Sequence, residues 1–325
     1  MRGIFSMRFR IIILVVVMIT CGAIILGCGG EQKTADYNIA VIAKSTGSDF
    51  WQNVKRGVNA AAIEYNTNVT FIGPENEEDW SAQNTMIVSA VARGADAIVL
   101  SAIDYELTRD AVDAAAAAGV RIITIDSGVD SGNVSAFIGT DNTEAGRLAG
   151  KAALELCEDT PAVLGLVNYS ESTENVRERE EGLRAFAAEN GMTVAAVANV
   201  ESNTESATAG AKKLLSEHPE INVIIGFNEW MTLGVGYAVQ DMGLSEEVAA
   251  VGFDSNVVSV GMLETGEMDA LIVQNPFAIG YLGVKSAVEL LGGKDIAAVD
   301  NTSIIVVTKE NMFEPEVQRI LFKFW

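Results

Sequence analysis

The segment Ala97–Asp126 reads AIVLSAIDYELTRDAVDAAAAAGVRIITID and contains one complete structural unit. Two short apolar runs, Ala97–Leu100 and Arg121–Ile125, flank the alanine-rich stretch Ala111–Ala118, which has high helix propensity. Gly119 follows this stretch, where a left-handed helix cap is favoured. Because apolar residues follow one another in both strands rather than alternating with polar ones, the order strand, helix, strand predicts parallel strands buried on both faces of a sheet.

The same alternation of short apolar runs and longer helical patterns extends from Tyr37 towards the C-terminus. The predicted strands are Ile39–Ala43, Val69–Ile72, Ala97–Leu100, Arg121–Ile125, Ala136–Ile138, Val163–Val167, Thr193–Val197, Val223–Ile225, Val248–Gly252, Leu271–Val273 and Ser303–Val307. They suffice for two sheets, and a chain of 325 residues agrees with two domains. Since no long linker separates two halves, we expect the chain to cross between two lobes several times and to form a hinge there.

The N-terminal residues have the pattern of a bacterial lipoprotein signal peptide. An apolar run begins at Ile11 and ends in Ile25-Leu26-Gly27-Cys28, which resembles a lipobox. The positive charges before this run are Arg2, Arg8 and Arg10. A transmembrane anchor is the alternative interpretation.

Cleavage before Cys28 leaves its thiol free to carry a diacylglycerol anchor, and two acyl chains hold a protein on a membrane where one does not. We therefore expect a signal peptide over residues 1–27 and a lipid-anchored tether over residues 28–36. The mature chain is expected to be extracytoplasmic, on the outer face of the cell membrane or on its periplasmic side.

Charge and residue types exclude several classes of protein. With 44 acidic against 22 basic residues, the chain is not expected to bind nucleic acid. Cys157 is the one cysteine of the predicted folded part, so no disulfide is expected there, and His218 alone offers no zinc site. No Gly-x-Gly-x-x-Gly after a strand, no P-loop and no nucleophile elbow occurs. We expect no enzymatic activity, no cofactor and no metal.

Polar side chains follow five of the predicted strands. They are Asp126, Asn168, Asn228, Asp254 and Gln274. Ligands of open α/β sheets bind at the carboxyl ends of the strands, so we expect these side chains to converge on one cleft. Carboxylates accept hydrogen bonds and amides both donate and accept them, which matches the hydroxyls of a sugar or polyol. For each residue taken singly, the alternative is a cap of the following helix.

Sequence motifs near the strand ends occur in a characteristic order. They are Ser48-Asp49-Phe50-Trp51, Thr124-Ile125-Asp126, Gly139-Thr140-Asp141-Asn142, Glu174-Asn175-Val176-Arg177-Glu178-Arg179, Phe227-Asn228-Glu229, Val251-Gly252-Phe253-Asp254 and Val273-Gln274-Asn275-Pro276. From about Tyr37 onward the chain therefore resembles the ribose-binding protein family, the sugar-binding type I periplasmic binding proteins. The resemblance implies an α/β fold of two Rossmann-like lobes with parallel central sheets, three crossings at the hinge, and closure around a monosaccharide. The implied N-terminal lobe comprises residues 37–140 and 275–303, and the C-terminal lobe residues 141–274 and 304–325.

The resemblance also implies which residues contact the ligand. Phe50 and Trp51 form an apolar wall with Ser48 near it, and core packing is the alternative for the two rings. The implied hydrogen-bonding residues are Asp126, Arg177, Asn228, Asp254 and Gln274. The chemistry agrees, because a C–H-rich sugar face suits an aromatic plane and charged side chains bind hydroxyls strongly.

The chain departs from the pentose-binding members at two places. Ser127 stands where they commonly have an arginine, and Val200–Thr204, which includes Ser202, lacks their second aromatic residue. Trp230 or Tyr169 is a candidate to fill that space. The departures widen the expected ligands from ribose to pentoses, hexoses, inositols or a sugar-like signal.

The implied function is that of an extracytoplasmic solute-binding lipoprotein, a monomer that delivers a monosaccharide or polyol to an ABC importer. Its expected partners are the ABC permease and its ATPase. The alternative is a sensory receptor that presents a sugar-like signal to a membrane kinase or chemoreceptor. A cytoplasmic repressor of the related fold is disfavoured, because a lipobox stands in place of the N-terminal helix-turn-helix that it needs.

Overall fold

The computed structural model describes residues 36–157 and 160–321. The predicted signal peptide, the lipobox with Cys28 and all of the predicted tether except Asp36 lie outside the described residues. Within the described ranges, no helix has both the length and the apolar character needed to span a membrane.

The first lobe is built on a six-stranded parallel sheet in the order β11-β5-β4-β3-β1-β2. Its strands are β1 (Asn38–Ile42), β2 (Asn68–Ile72), β3 (Ala97–Leu100), β4 (Arg121–Ile125), β5 (Val134–Gly139) and β11 (Val299–Asn301). Its helices are α1 (Asp49–Glu64), α2 (Trp80–Ala92), α3 (Arg109–Ala117) and α9 (Pro276–Leu291). Helices α1 and α9 cover one face of the sheet, and α2 and α3 cover the other. Both faces are therefore buried, as the apolar strands predict.

The second lobe repeats this three-layer arrangement on a sheet in the order β12-β10-β9-β8-β6-β7. Its strands are β6 (Val163–Asn168), β7 (Thr193–Asn199), β8 (Val223–Gly226), β9 (Ala249–Phe253), β10 (Ala270–Val273) and β12 (Ile305–Thr308). Its helices are α4 (Asn142–Leu156), α5 (Glu174–Glu189), α6 (Thr204–Glu217), α7 (Glu229–Met242), α8 (Val257–Thr265) and α10 (Pro315–Leu321). Helices α4 and α5 pack on one face, and α6, α7 and α8 on the other.

The chain passes between the lobes three times: between β5 and α4, between β10 and α9, and between β11 and β12. Neither lobe is therefore one continuous segment. The lobe boundaries given above from the resemblance remain a proposal. The fold class itself, two α/β lobes with parallel central sheets, is confirmed.

Two strands differ from the sequence-based expectation. Strand β11 was not predicted, because a three-residue edge strand with two polar residues shows no hydrophobic pattern. Strand β12 runs antiparallel to β10 although all other pairs are parallel. The chain passes from β11 through the hinge directly into β12. Strand β12 therefore begins at the edge of the sheet where the parallel strands have their carboxyl ends.

Two helix pairs cross so closely that glycine is required at the crossing. A Cβ on Gly57 of α1 would lie 2.0 Å from the carbonyl oxygen of Phe277 in α9. In the second lobe, a Cβ on Gly146 of α4 would lie 1.9 Å from the carbonyl oxygen of Arg179 in α5. Both distances are far below van der Waals contact. These crossings fix α1 and α5, which carry aromatic and cationic side chains to the space between the lobes.

Candidate functional site

The carboxyl ends of the central strands of both sheets meet at a cavity between the lobes. The cavity is lined by Lys44, Ser48, Phe50, Trp51, Glu77, Asp126, Tyr169, Asn175, Arg179, Asn228, Glu229, Trp230, Asp254 and Gln274. Both lobes contribute, and nearly all of these side chains are buried. The lining residues of the two lobes therefore surround one shared cavity.

The structure brings together all but one of the residues that the resemblance implies for the ligand site. They are Ser48, Phe50, Trp51, Asp126, Asn228, Asp254 and Gln274. Their role in binding stays a prediction. Arg177 is the residue that does not reach the cavity.

Arg177 is exposed, and its guanidinium lies 4.7 Å from the ring centroid of Tyr105 in the first lobe. Residues two apart on a helix are separated by about 200°, so Arg179 of the same motif faces the other way, into the cavity. The assignment of Arg177 is therefore corrected to Arg179. The alternation of arginine and glutamate in this motif leaves the inward face undetermined from sequence.

Arg179 is 1% exposed and held in place by two hydrogen bonds. Its Nε donates to Oδ1 of Asn142 at 3.0 Å, and its Nη1 donates to the carbonyl oxygen of Phe227 at 2.7 Å. Its Nη2 is buried and has no hydrogen-bond partner among the described residues. A buried guanidinium donor without a partner is costly, so this atom is positioned to bind a ligand acceptor.

Phe50 and Trp51 open helix α1, whose N-cap is Ser48, and their rings meet edge to face with centroids 5.1 Å apart. Both rings line the cavity and both belong to the core of the first lobe. The two interpretations of these rings, ligand wall and core packing, are therefore compatible. Ser48 caps the helix by accepting a hydrogen bond from the backbone N–H of Trp51 at 3.3 Å.

Asp126 and Asp254 occupy equivalent positions, one residue after β4 and β9. Both have left-handed backbone conformations, with φ of 60° and 66°. Each donates its N–H to the neighbouring strand, Asp126 to Ile138 at 3.1 Å and Asp254 to Ile272 at 3.0 Å. Aspartate tolerates this conformation better than most residues, and such strain is concentrated at functional sites.

The two carboxylates differ in their surroundings. Asp126 accepts a hydrogen bond from Oγ of Ser101 at 2.8 Å and lies 3.5 Å from the ammonium of Lys44. Asp254 accepts from Nε2 of Gln274 at 2.7 Å, and Oε1 of Gln274 accepts from Oγ1 of Thr140 at 2.6 Å. Burial raises the pKa of Asp254 to about 7, against the attraction of the Arg179 charge. Asp254 is therefore poised to be ionised by a ligand that donates hydrogen bonds to it.

Lys44 was missed by the sequence analysis. It directly follows the first predicted strand, so the rule that found the polar residues at other strand ends also applied to it. Its ammonium donates to Oγ1 of Thr173 at 2.7 Å and to Oδ1 of Asn175 at 3.1 Å, both in the second lobe. Burial lowers the pKa of Lys44, while the nearby Asp126 carboxylate opposes this shift.

Glu229, also missed as a site residue, binds the N-terminus of α1 from the opposite lobe. Its carboxylate accepts from the backbone N–H groups of Asp49 at 3.2 Å and Phe50 at 2.9 Å, and from Nδ2 of Asn256 at 2.9 Å. The positive end of the helix dipole favours a carboxylate there. This contact ties the aromatic wall to the second lobe.

Two amides that follow strands have different outcomes. Asn228 caps α7 by accepting from the N–H of Met231 at 2.9 Å, and it also lines the cavity, so its two interpretations hold together. Asn168 does not line the cavity, and its amide donates to the carboxylate of Glu180 instead. The prediction that Asn168 joins the cleft is therefore wrong.

Tyr169 and Trp230, the two candidates to replace the missing aromatic residue, both line the cavity. Ser127, at the position of the missing arginine, forms a hydroxyl–hydroxyl hydrogen bond of 3.1 Å with Thr173 across the lobe interface. Within the described ranges, no group of three or more metal-ligating side chains is close enough to hold an ion.

Comparison with known proteins identifies the family. The model of the periplasmic binding protein domain matches residues 39–295. The chain belongs to this family. Among periplasmic binding proteins, the ribose import binding protein of Bacillus subtilis is 25% identical over 267 residues, which cover 82% of this chain and 85% of that protein. The D-ribose/D-allose-binding protein of Pseudomonas aeruginosa is 25% identical over 294 residues, 88% of this chain and 92% of that protein.

Solved structures of the same kind are also similar. A carbohydrate transporter solute-binding protein from Agrobacterium radiobacter, in complex with D-arabinose, is 30% identical with a TM-score of 0.86 and covers 89% of this chain and 100% of that chain. An ABC transporter solute-binding protein from Agrobacterium vitis, with bound D-fucose, is 30% identical with a TM-score of 0.83 and covers 88% of this chain and 100% of that chain. The resemblance to sugar-binding periplasmic binding proteins is confirmed.

Proposed function

We propose that this periplasmic binding protein captures a monosaccharide or polyol outside the cytoplasm and delivers it to an ABC importer. The observation that carries the proposal is the buried Nη2 of Arg179, a donor without a partner among the described residues, in a cavity between the lobes that Asp254 also lines. A sugar hydroxyl accepts from the guanidinium and donates to a carboxylate, so it satisfies both groups at once.

The other groups of the cavity suit the same ligand. Phe50 and Trp51 offer apolar surface to a C–H-rich face, and Asn228 and Gln274 offer amide donors and acceptors. The charges argue against an anionic ligand, because four carboxylates line the cavity against two cations. These groups are Glu77, Asp126, Glu229, Asp254, Lys44 and Arg179. An anionic ligand would face excess negative charge in a medium of low dielectric.

The relatives support this function, since they include binding proteins for ribose and structures with D-arabinose and D-fucose. They are binding and transport proteins, which supports a function without catalysis. We also propose that Cys28 carries the lipid anchor, that the protein is a monomer, and that an ABC permease with its ATPase receives the ligand. No structural observation favours the sensory alternative.

A thermal-shift screen of neutral monosaccharides and polyols tests the proposal. A ligand at about 100 times its Kd stabilises the folded state by roughly 2.7 kcal/mol, which raises the melting temperature by a few degrees. At least one neutral sugar or polyol is expected to do so. The proposal is wrong if only amino acids, peptides or metal ions produce a shift.

Calorimetry on two arginine variants then locates the site. Arg179→Ala removes a charged donor and is expected to weaken binding of the identified sugar about tenfold to a hundredfold. Arg177→Ala is the matched control from the same helix and is expected to raise the Kd by no more than about fivefold, because it loses only the exposed contact with Tyr105. Circular dichroism verifies that both variants fold. The reverse order of effects would restore Arg177 to the site.

A further inference from the structure

One buried carboxylate of the cavity hydrogen-bonds to both lobes. Glu77 lies between β2 and α2 in the first lobe and is 8% exposed. From its own lobe, Nε1 of Trp51 donates to Oε1 at 2.7 Å and Oγ of Ser45 donates to the same oxygen at 3.3 Å. From the second lobe, Oγ of Ser202 donates to Oε2 at 3.0 Å. The two oxygens of this carboxylate therefore accept hydrogen bonds from different lobes.

The contact on the second lobe continues to a residue of the proposed ligand site. Oγ of Ser202 accepts a hydrogen bond from Nδ2 of Asn228 at 3.0 Å, and the backbone N–H of Ser202 donates to Oε1 of Glu78 at 2.6 Å. A chain of hydrogen bonds thus runs from Trp51 through Glu77 and Ser202 to Asn228. Its two ends are ligand-site residues on opposite lobes.

The directional hydrogen bond to Glu77 restrains the orientation of the Trp51 indole. Nε1 is the only polar atom of a tryptophan side chain and can donate to Glu77 only when the ring lies in one orientation. Trp51 is 2% exposed, so no solvent replaces this bond if the carboxylate is lost. When Glu77 is ionised the bond is charge-assisted, and such bonds are among the stronger kinds in proteins.

The carboxylate in turn depends on donors from both lobes. Burial of Glu77 raises its pKa because the ionised form loses its water, although the Lys44 charge opposes this shift. Separation of the lobes removes the donor Ser202 from one oxygen and leaves the bond of Trp51 to the other. The bonds of one carboxylate group are coupled through its shared charge.

We propose that Glu77 is a positioning residue for ligand binding, which orients the indole of Trp51 against the ligand and links that orientation to lobe closure through Ser202. This inference rests on the proposed function, because it requires a sugar in the cavity. It concerns a residue that acts through Trp51 and Ser202.

A double-mutant cycle tests the link. Glu77→Gln and Ser202→Ala are each expected to raise the Kd for D-arabinose about tenfold, as measured by calorimetry. Because both changes break the same bond, the Kd of the double variant is expected to rise about tenfold to thirtyfold, well below the hundredfold rise that independent effects would give. Glu75→Gln, an exposed position in the same loop, is the matched control and is expected to keep the wild-type Kd.

A spectroscopic measurement separates positioning from general destabilisation. The indole N–H resonance of Trp51, assigned by its loss in Trp51→Phe, is expected to shift in ligand-free Glu77→Gln and to stay in place in Glu75→Gln. If a Glu77 variant folds poorly, Ser202→Ala alone tests the link, because loss of the donor to Glu77 is still expected to raise the Kd about tenfold.

The outcomes are distinguishable. If wild type binds D-arabinose or another neutral sugar of the screen and the two losses are additive, or the indole resonance is unmoved, Glu77 is not a positioning residue. If wild type binds no sugar or polyol at all, the proposed function fails and this inference fails with it.

Discussion

The raised pKa of Asp254 predicts that closure of the lobes without ligand depends on pH. Asp254 lies between the lobes, where burial raises its pKa to about 7 from an ordinary value of 3.8. We expect water to reach the carboxyl in an open form and to restore its ordinary pKa. The closed form therefore binds the proton more tightly, so closure becomes less favourable as the pH rises from the ordinary pKa towards about 7, and it no longer changes above that value.

The magnitude follows from the difference between the two forms. From about pH 5.5 to about pH 8.5 the open form stays ionised, whereas the closed form loses its proton near pH 7. The interval of about 1.5 pH units between about pH 5.5 and about pH 7, at 1.36 kcal/mol per unit, gives about 2 kcal/mol. This is roughly a thirtyfold shift of the equilibrium towards the open form. Asp254→Asn removes the titrating group, keeps an acceptor for Gln274 and tolerates the left-handed backbone. In this variant, the contribution of residue 254 to the pH dependence of lobe closure is expected to vanish.

Double electron–electron resonance between spin labels on the two lobes measures the closed fraction. Val88 in α2 and Lys213 in α6 are exposed and carry the labels in the ligand-free protein. Because burial also shifts the pKa of Lys44 and Glu77, the difference between wild type and Asp254→Asn isolates the effect of Asp254. An identical pH response in the two proteins would refute the reasoning.

Three further predictions concern packing, fluorescence and charge. Gly146→Ala places a methyl group against the Arg179 carbonyl and is expected to lower the free energy of unfolding by about 1–3 kcal/mol, as measured by thermal denaturation. Gly261→Ala, where no atom lies near the added methyl group, is the control and is expected to be neutral or stabilising, so equal melting temperatures would contradict the close crossing. Titration with the identified sugar is expected to change tryptophan emission in wild type and much less in Trp51→Phe; if the full change persists, Trp230 is the first alternative reporter. Lys44→Met leaves Asp126 without its ion pair and is expected to weaken sugar binding at least tenfold by calorimetry; an unchanged Kd would show that this ion pair does not support the closed form.

The fold and much of the cavity were predictable from the sequence because they depend on local patterns. Apolar runs located every strand except β11, and the polar residues that end β4, β9 and β10 led to Asp126, Asp254 and Gln274. The left-handed backbone at the two aspartates could not be read from the chain, since it depends on hydrogen bonds to neighbouring strands.

The residues that were missed depend on contacts between distant parts of the chain. Glu77 lies in a loop without periodicity, and its partner Ser202 is more than a hundred residues away. The choice between Arg177 and Arg179 depends on the rotation of α5, which the packing of Gly146 against that helix fixes. Such tertiary contacts leave no local signal in the sequence.

The three crossings between the lobes have a consequence for the biogenesis of the protein. Helix α9 and strand β11 complete the first lobe, yet they emerge from the ribosome only after all strands of the second lobe except β12. The lobe that is synthesised first is thus finished late, and its core stays open where Ile279, Val284 and Ala287 of α9 belong. Contacts of such large sequence separation slow folding. Completion of the first lobe is therefore expected to wait until α9 and β11 have been made.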